Sequence, residues 1–344
     1  MSGKKIRIGL IGCGFYAQNH LNAWKDLHPE GAELVAVCDQ DPVKVQQAAR
    51  AFGAKPYTEA KVMFENEKID LVDITTQMNS HKILAALAAE HGVGAIVQKP
   101  FAPSFRESVE IVEKAKLHGT WLAVHENFRF GSGMRRIRAV IDSGAIGVPT
   151  WGRFSFRTGY DVFKNQPYLA NEKRLVILDV GIHVLDLARF FLGEVNHLSC
   201  EIQTRLPKID GEDTATILLR HCSGAVSIVE STYSSRKIPD AFPETLLEIE
   251  GSEGAIVVTR GEAMQVTTQG IFFEEKIGSP LLSWTSRPWH GSQEAVLHTN
   301  RHMLNSFRDG KVAETSGEDN LKTYALVEAA YESAISGNKI KPRI

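Results

Sequence analysis

Asp179-Val180-Gly181-Ile182-His183-Val184-Leu185-Asp186 places two carboxylates and an imidazole in a mostly apolar segment. Helical positions three and four apart share a face, so Asp179, His183 and Asp186 read as one polar stripe. A carboxylate beside an imidazole fixes the ring tautomer and raises its basicity, as a general base taking a hydroxyl proton requires. The same pattern would arise from a paired histidine on a surface helix, so other residues must decide. Gln98-Lys99-Pro100 follows the apolar run Ala95-Ile96-Val97. A lysine at the C-terminal end of a parallel strand reaches the ligand crevice and can bond a substrate oxygen. His125-Glu126-Asn127-Phe128-Arg129 leaves the next strand and can present Asn127 and Arg129 to cofactor and substrate.

A hydroxyl proton acceptor acquires meaning beside a hydride acceptor, and the start of the chain supplies the layout for one. Ile6-Arg7-Ile8-Gly9-Leu10-Ile11 runs into Gly12-Cys13-Gly14-Phe15-Tyr16-Ala17, a strand followed by a G-x-G-x-x-A turn. Gly12 allows the tight turn, and Gly14 lets a pyrophosphate approach the backbone at a helix N-terminus. Ala17 is small enough for that helix to pack close to the strand. The next apolar run, Leu34 to Cys38, ends in Asp39. A carboxylate there accepts bonds from both ribose hydroxyls of an adenosine and repels the extra phosphate of NADP, so the expected cofactor is NAD.

These residues need elements to hold them. Asp41-Pro42 caps a helix through Phe52 that stops at Gly53, and Ser104-Phe105-Arg106-Glu107 is a capping box opening a helix to His118. With strands at 71–75, 95–98 and 121–124 and a helix over 79–90, the first third alternates βαβαβ and demands a parallel, doubly wound sheet. Near Asn127 the pattern changes. Helices over 134–143 and 178–192, strands at 150–158 and a β-rich stretch over 195–276 follow, then helices over 292–309 and 317–336. The reading is an α/β chain with a dinucleotide-binding domain over 1–127 and an α+β domain over 128–344 built on a mostly antiparallel sheet.

Composition narrows the partners. The 344 residues are 43% hydrophobic and 23% charged, with a formal net charge of −2, which gives no reason to expect nucleic acid or an anionic membrane. Arg135-Arg136-Ile137-Arg138 reads as a solvated helix face. Cys13, Cys38, Cys200 and Cys222 form no C-x-x-C, which suits a reducing cytoplasm. Cys13, although at a helix N-terminus, reads as small filler in the glycine turn. Met1-Ser2-Gly3-Lys4-Lys5 leads into a strand without a signal-peptide apolar region, and no apolar run is long enough to span a bilayer. Glu294, His298 and His302 share a helical face but lack the H-E-x-x-H spacing, so no metal site is expected.

The chain resembles the Gfo/Idh/MocA family of NAD(P)-dependent oxidoreductases over essentially its whole length. The resemblance rests on Gly9 to Gly14 with His20 following, on Lys99-Pro100, on Asn127-Phe128-Arg129-Phe130, on Ile141 to Gly147 and on Asp179 through His183. It implies a Rossmann domain, then an α/β domain whose open sheet mediates dimers or tetramers, and it assigns Lys99, Asp179 and His183 to catalysis. On its pattern Gly12, Gly14, Phe15, Tyr16, Ala17, Asp39, Thr75, Thr76, His81, Gln98, Lys99 and Asn127 bind cofactor. Lys99, Asp179 and His183 also meet the substrate, with Arg129 in the crevice wall, and Arg157 and Tyr160 with Trp289 of the later loop read as a substrate wall, since aromatic faces beside hydrogen-bonding groups suit a sugar ring. Three departures stand out: Gln98 where the family usually has Glu, Thr76-Gln77-Met78-Asn79-Ser80-His81 in place of T-P-N-x-x-H, and Phe130-Gly131-Ser132 after Arg129 in place of a proline-containing turn. The expected activity is NAD-dependent oxidation of a sugar, a small cyclic aldose, at its anomeric carbon to a lactone. The alternatives are an inositol or polyol dehydrogenase, an NAD-using glycosidase, an NADPH-dependent reductase and a non-catalytic NAD-sensing regulator. Asp39 opposes the reductase. The joint presence of Lys99, Asp179 and His183 opposes the regulator.

Overall fold

The computed structural model describes residues 5–343; Met1 to Lys4, read as a polar lead into the first strand, and Ile344 lie outside the described residues. The chain divides into two compact units, Met1–Asn127 with Ala295–Leu321, and Phe128–Glu294 with Lys322–Ile344.

The first unit runs β1 (Ile6–Ile11), α1 (Ala17–Asp26), β2 (Ala32–Cys38), α2 (Pro42–Phe52), β3 (Lys55–Tyr57), α3 (Ala60–Asn66), β4 (Leu71–Ile74), α4 (His81–Glu90), β5 (Gly94–Gln98), α5 (Phe105–His118) and β6 (Leu122–His125). Its six strands are ordered β3-β2-β1-β4-β5-β6 and all pair in parallel. This is the doubly wound sheet that the alternation requires. β4, β5 and β6 are buried throughout, as parallel strands covered on both faces must be. The caps lie where the local chemistry puts them. The Asp41 side chain accepts from the N–H groups of Val43 and Lys44, and Ser104 accepts from Glu107 N at 3.2 Å. Gly53 and Gly119 close α2 and α5 in the left-handed region, at φ 70° and 63°.

The second unit begins with α6 (Ser132–Asp142) and β7 (Pro149–Arg157). A π turn over Ile177–Gly181 leads into α7 (Ile182–Leu192). Then come β8 (Val195–Gln203), β9 (Thr214–His221), β10 (Val226–Thr232), β11 (Leu246–Gly251), β12 (Gly254–Thr259), β13 (Ala263–Thr268) and β14 (Ile271–Lys276). The eight-stranded sheet is ordered β14-β13-β12-β11-β7-β10-β9-β8 and is antiparallel except where β7 pairs with β10. α7 is buried almost all round and packs on β7 and β10, forming the unit's core with the inward residues of those strands.

α8 (His290–Arg308) and α9 (Gly317–Ser336) close the chain. Ala295–Leu321 packs with the first unit, where periodicity alone had assigned everything after 127 to the second domain. Specific contacts hold it there. The indole of Trp121 donates to Lys311 O at 2.9 Å, Thr315 Oγ1 donates to Val124 O at 2.8 Å, and Arg301 pairs with Glu30 at 2.9 Å. Among the described residues no helix is long and apolar enough to cross a membrane.

Candidate functional site

In the first unit the glycine turn is tightly built. Gly12 has φ +97°, and a Cβ there would meet the backbone of Thr75 and Thr76 at 2.9 Å, so glycine is required on two grounds. Gly14 has nothing within 4 Å of an added Cβ, so an open face lies beside it. α1 starts there without a side-chain cap, and Ala17 is buried beneath the turn. Phe15 is 75% exposed and Tyr16 37%. Thr75 is a clamp: its hydroxyl donates to the carbonyls of Ile11 and Gly12 at 3.1 and 2.8 Å. Asp39 is oriented by two backbone donors, Cys13 N at 2.6 Å and Asp41 N at 2.8 Å. A rigid, half-buried carboxylate at the end of β2, an open glycine face and a helix start without a side-chain cap fit a dinucleotide. The Cys13 thiol is pushed up to about 12 by burial and then by the charges of Asp39 and Cys38, so the turn does not activate it.

Around β4 and β5 lies a buried polar network. His81 is 1% exposed; its Nε2 faces Thr76 O at 3.0 Å and its Nδ1 faces the carbonyls of Pro100 and Phe101 at 3.1 and 3.2 Å. It ties the loop after β4 to the turn after β5, and burial holds its pKa below the ordinary histidine value. Thr76 Oγ1 accepts from the Ser80 hydroxyl at 2.7 Å. Gln98 is buried, its Oε1 accepting from Lys99 N at 2.7 Å and its Nε2 lying 3.1 Å from His20 Nε2. His20 Nδ1 lies 2.8 Å from Asp73 Oδ2, which also accepts from Trp24 Nε1 at 2.7 Å. Lys99 is half-buried and joined to Pro100 by a cis peptide. Asn127 donates to the Tyr16 hydroxyl at 3.3 Å.

In the second unit the expected helix over 178–192 begins instead as the π turn over Ile177–Gly181, with α7 starting at Ile182. A π turn bonds i to i+5 and widens the backbone at this point. The cause is distant in sequence. The buried Glu212 carboxylate accepts from Leu175 N and Ile177 N at 3.2 and 3.0 Å and from the Tyr331 hydroxyl at 2.6 Å, fixing the entry to the turn. Asp179 is half-exposed and accepts from the Tyr233 hydroxyl at 2.6 Å. His183 lies under the Phe128 ring, centroids 3.9 Å apart and planes 1° from parallel. Asp186 is fully buried and pairs with Arg129, whose Nε donates to Oδ2 at 2.7 Å, while Thr323 donates to Oδ1 at 3.0 Å. Arg129 is thus committed to a buried ion pair.

The structure places Arg157 on β7 beside Glu230. In β7 the residues that face the core are Gly152, Phe154 and Phe156, and Arg157 is on the other face with Arg153, 3.9 Å from Glu230. Phe156 holds the α7 side, its ring 6.2 Å from that of Phe128. Tyr160 and Trp289 do come together, with centroids 5.7 Å apart. Between them is Phe242, stacked on Tyr160 at 4.2 Å and edge-on to Trp289 at 4.8 Å. Asp240 staples this cluster: its carboxylate accepts from Thr158 Oγ1, Gly159 N and Phe242 N at 2.6, 2.6 and 2.8 Å. Sequence reasoning missed Phe242, Tyr233 and Glu212. Only Phe128 and His20 carried a signal, as members of quoted motifs.

This geometry defines a nucleotide-linked oxidoreductase, and comparison with known proteins agrees. Residues 6–126 match the oxidoreductase family with an NAD-binding Rossmann fold, and residues 134–257 match the Gfo/Idh/MocA C-terminal domain. The chain belongs to the Gfo/Idh/MocA family of oxidoreductases, and its cofactor is NAD. It is 46% identical over 341 residues to a D-apiose dehydrogenase of Rhizobium rhizogenes, covering 99% of this chain and 98% of that one. It is 42% identical over 339 residues to a D-apiose dehydrogenase of Paraburkholderia graminis, covering 98% and 90%. A crystal structure of an oxidoreductase from Agrobacterium radiobacter in complex with NAD+, L-tartaric acid and magnesium superposes with a TM-score of 0.96 at 46% identity, covering 98% of each chain.

Proposed function

We propose that the substrate is a cyclic pentose of the D-apiose kind, oxidised at its anomeric carbon to the lactone. The observation that carries this is full-length similarity to two proteins named D-apiose dehydrogenase. An anomeric carbon already bears a hydroxyl and a ring oxygen, whose lone pair assists loss of hydride. NAD, when bound, supplies the acceptor for that hydride. Only the hydroxyl proton then remains to be removed. His183 takes it, the ring held flat by Phe128, and Asp179, kept in place by the Tyr233 hydroxyl, is the carboxylate partner that orients it. Lys99 bonds the same oxygen as it becomes a carbonyl. Tyr160, Phe242 and Trp289 supply an aromatic wall of the sort that packs on a sugar ring, and Arg129 holds α7 through Asp186. Asp39 takes the adenosine ribose.

The same reading makes the protein a cytoplasmic homodimer or homotetramer. Its four free thiols suit a reducing compartment, and the outward face of the second sheet, including the half-exposed Leu218, offers an apolar surface for a second copy. Light scattering coupled to size exclusion measures the assembly.

The activity test incubates the enzyme with NAD and D-apiose, follows NADH and identifies the product by NMR. The expected result is the lactone or its aldonic acid at a kcat/KM of about 10⁴ M⁻¹s⁻¹ or above. Activity confined to inositols or glycosides overturns the assignment. Lys99→Met and His183→Asn should each lower kcat on the order of 10²-fold while NADH affinity changes little.

A further inference from the structure

Gln98, at the end of β5, has surroundings that assign it a job a glutamate could not do in the same way. Three buried polar side chains and one peptide form a chain in space: Asp73 at the middle of β4, His20 on α1, Gln98 at the end of β5, and the N–H of Lys99. The links are 2.8 Å from Asp73 Oδ2 to His20 Nδ1, 3.1 Å from His20 Nε2 to Gln98 Nε2, and 2.7 Å from Gln98 Oε1 to Lys99 N.

The Lys99 end fixes the direction of every bond in this chain. A peptide N–H can only donate, so the Gln98 oxygen must face it, and the Gln98 amide NH₂ must face His20. The alternative amide orientation would set two donors against each other at Lys99. His20 Nε2 therefore accepts, and its proton is on Nδ1, donated to Asp73. The remaining neighbours agree. Trp24 donates to the same Asp73 oxygen, and the other carboxylate oxygen, Asp73 Oδ1, is buried with no hydrogen-bond partner among the described residues. The His125 ring lies 4.2 Å from that of His20, and burial pushes His125 down to about 3, so it brings no positive charge. The Tyr16 ring lies 5.7 Å from that of His20, and the buried Glu126 acts on the Tyr16 hydroxyl.

We propose that His20, backed by Asp73, is a positioning residue: neutral and protonated on Nδ1, it orients the Gln98 amide and thereby fixes the peptide that carries Lys99. Glutamine is suited to this because it accepts at one end and donates at the other. A glutamate at 98 has only acceptors, so the same spacing would require His20 to carry both protons between two carboxylates. The substitution Gln98→Glu thus moves a proton onto His20 and leaves the sum of charge over residues 20, 73 and 98 unchanged. The link to catalysis rests on Lys99 acting as proposed above; the placement of the proton does not.

The test is NMR of the full chain with ¹⁵N-labelled histidine at neutral pH, with and without NAD. The expected wild-type spectrum shows His20 with Nδ1 protonated and Nε2 bare in both states. In Gln98→Glu both nitrogens are protonated. A wild-type His20 protonated on Nε2, or on both nitrogens, at neutral pH overturns the proposal. For positioning, His20→Phe should lower kcat on the order of tenfold with NADH affinity within about threefold. His20→Gln, which returns a polar group toward Gln98, should recover most of that loss. Gln98→Met, close to isosteric, should reproduce the fall in kcat if His20→Phe does not fold. Wild-type kcat in both His20→Phe and Gln98→Met removes the positioning role. Wild-type kcat in Lys99→Met instead overturns the role of Lys99, and the histidine spectrum separates the two failures.

Discussion

The His183 ring lies flat against Phe128, centroids 3.9 Å apart with 1° between the planes. A histidine that accepts a proton must present one nitrogen along one direction, and a face-to-face contact removes the freedom to rotate about χ2. Phe128→Leu should lower kcat on the order of tenfold while leaving NADH affinity within about twofold, and Phe128→Tyr should retain most activity. Steady-state kinetics with a parallel fluorescence titration read both. A kcat equal to wild type in Phe128→Leu would show that the stack does not orient the base.

Asp39 is held by two backbone donors before any cofactor arrives, so its carboxylate is preorganised rather than recruited. NAD should exceed NADP by at least about tenfold in kcat/KM, about 1.4 kcal/mol. Asp39→Ala should weaken NAD and narrow that gap. Equal use of both cofactors by the wild type would remove the role given to Asp39.

The parts of the molecule legible in the sequence are those decided within a few residues. The glycine turn, Asp39 at the strand end, the Asp41 and Ser104 caps and the βαβ alternation all depend on local backbone needs, and they stand in the structure where those needs put them. What escaped depends on partners far along the chain. The π turn beneath Asp179 is set by Glu212 and Tyr331, the packing of Ala295–Leu321 by Val124, Trp121 and Glu30, and the fate of Arg129 by Asp186. The face of β7 that carries Arg157 escaped for another reason. Strand parity flips with a one-residue error, and the pattern of β7 did not show which set of side chains faced α7.

His125 gives the fold a pH dependence of definite sign. Burial lowers it from 6.5 to about 3. Above 6.5 neither the folded nor the unfolded chain holds this proton, and stability is flat in this respect. As pH falls from 6.5 toward about 3, the unfolded chain gains a proton that the folded chain refuses, so stability is lost at up to about 1.4 kcal/mol per pH unit. His125→Gln, which keeps a polar group for Asn300 but does not titrate, should show a correspondingly shallower fall in stability by urea melts at stepped pH. An identical slope in both proteins would mean that acid sensitivity arises elsewhere.

Arg129 and Arg157 looked alike in the sequence and differ in the structure, which makes them a matched test. Removing the Arg129 side chain leaves Asp186, with no exposed surface, as a buried carboxylate that has lost its main cation, and the loss from breaking such a pair is about 3 kcal/mol or more. Arg129→Met should therefore lower the urea midpoint sharply, and Arg129→Lys should recover only part of it, because an ammonium cannot form the two parallel bonds of a guanidinium. Arg157 meets Glu230 at 3.9 Å on the outward face of the sheet, where Arg153 already pairs with the same carboxylate at 2.8 Å. Arg157→Met should cost under about 1 kcal/mol and leave kcat/KM within about twofold. Equal stability loss in the two variants would contradict the burial difference, and a large fall in kcat/KM for Arg157→Met with unchanged stability would return that arginine to the substrate.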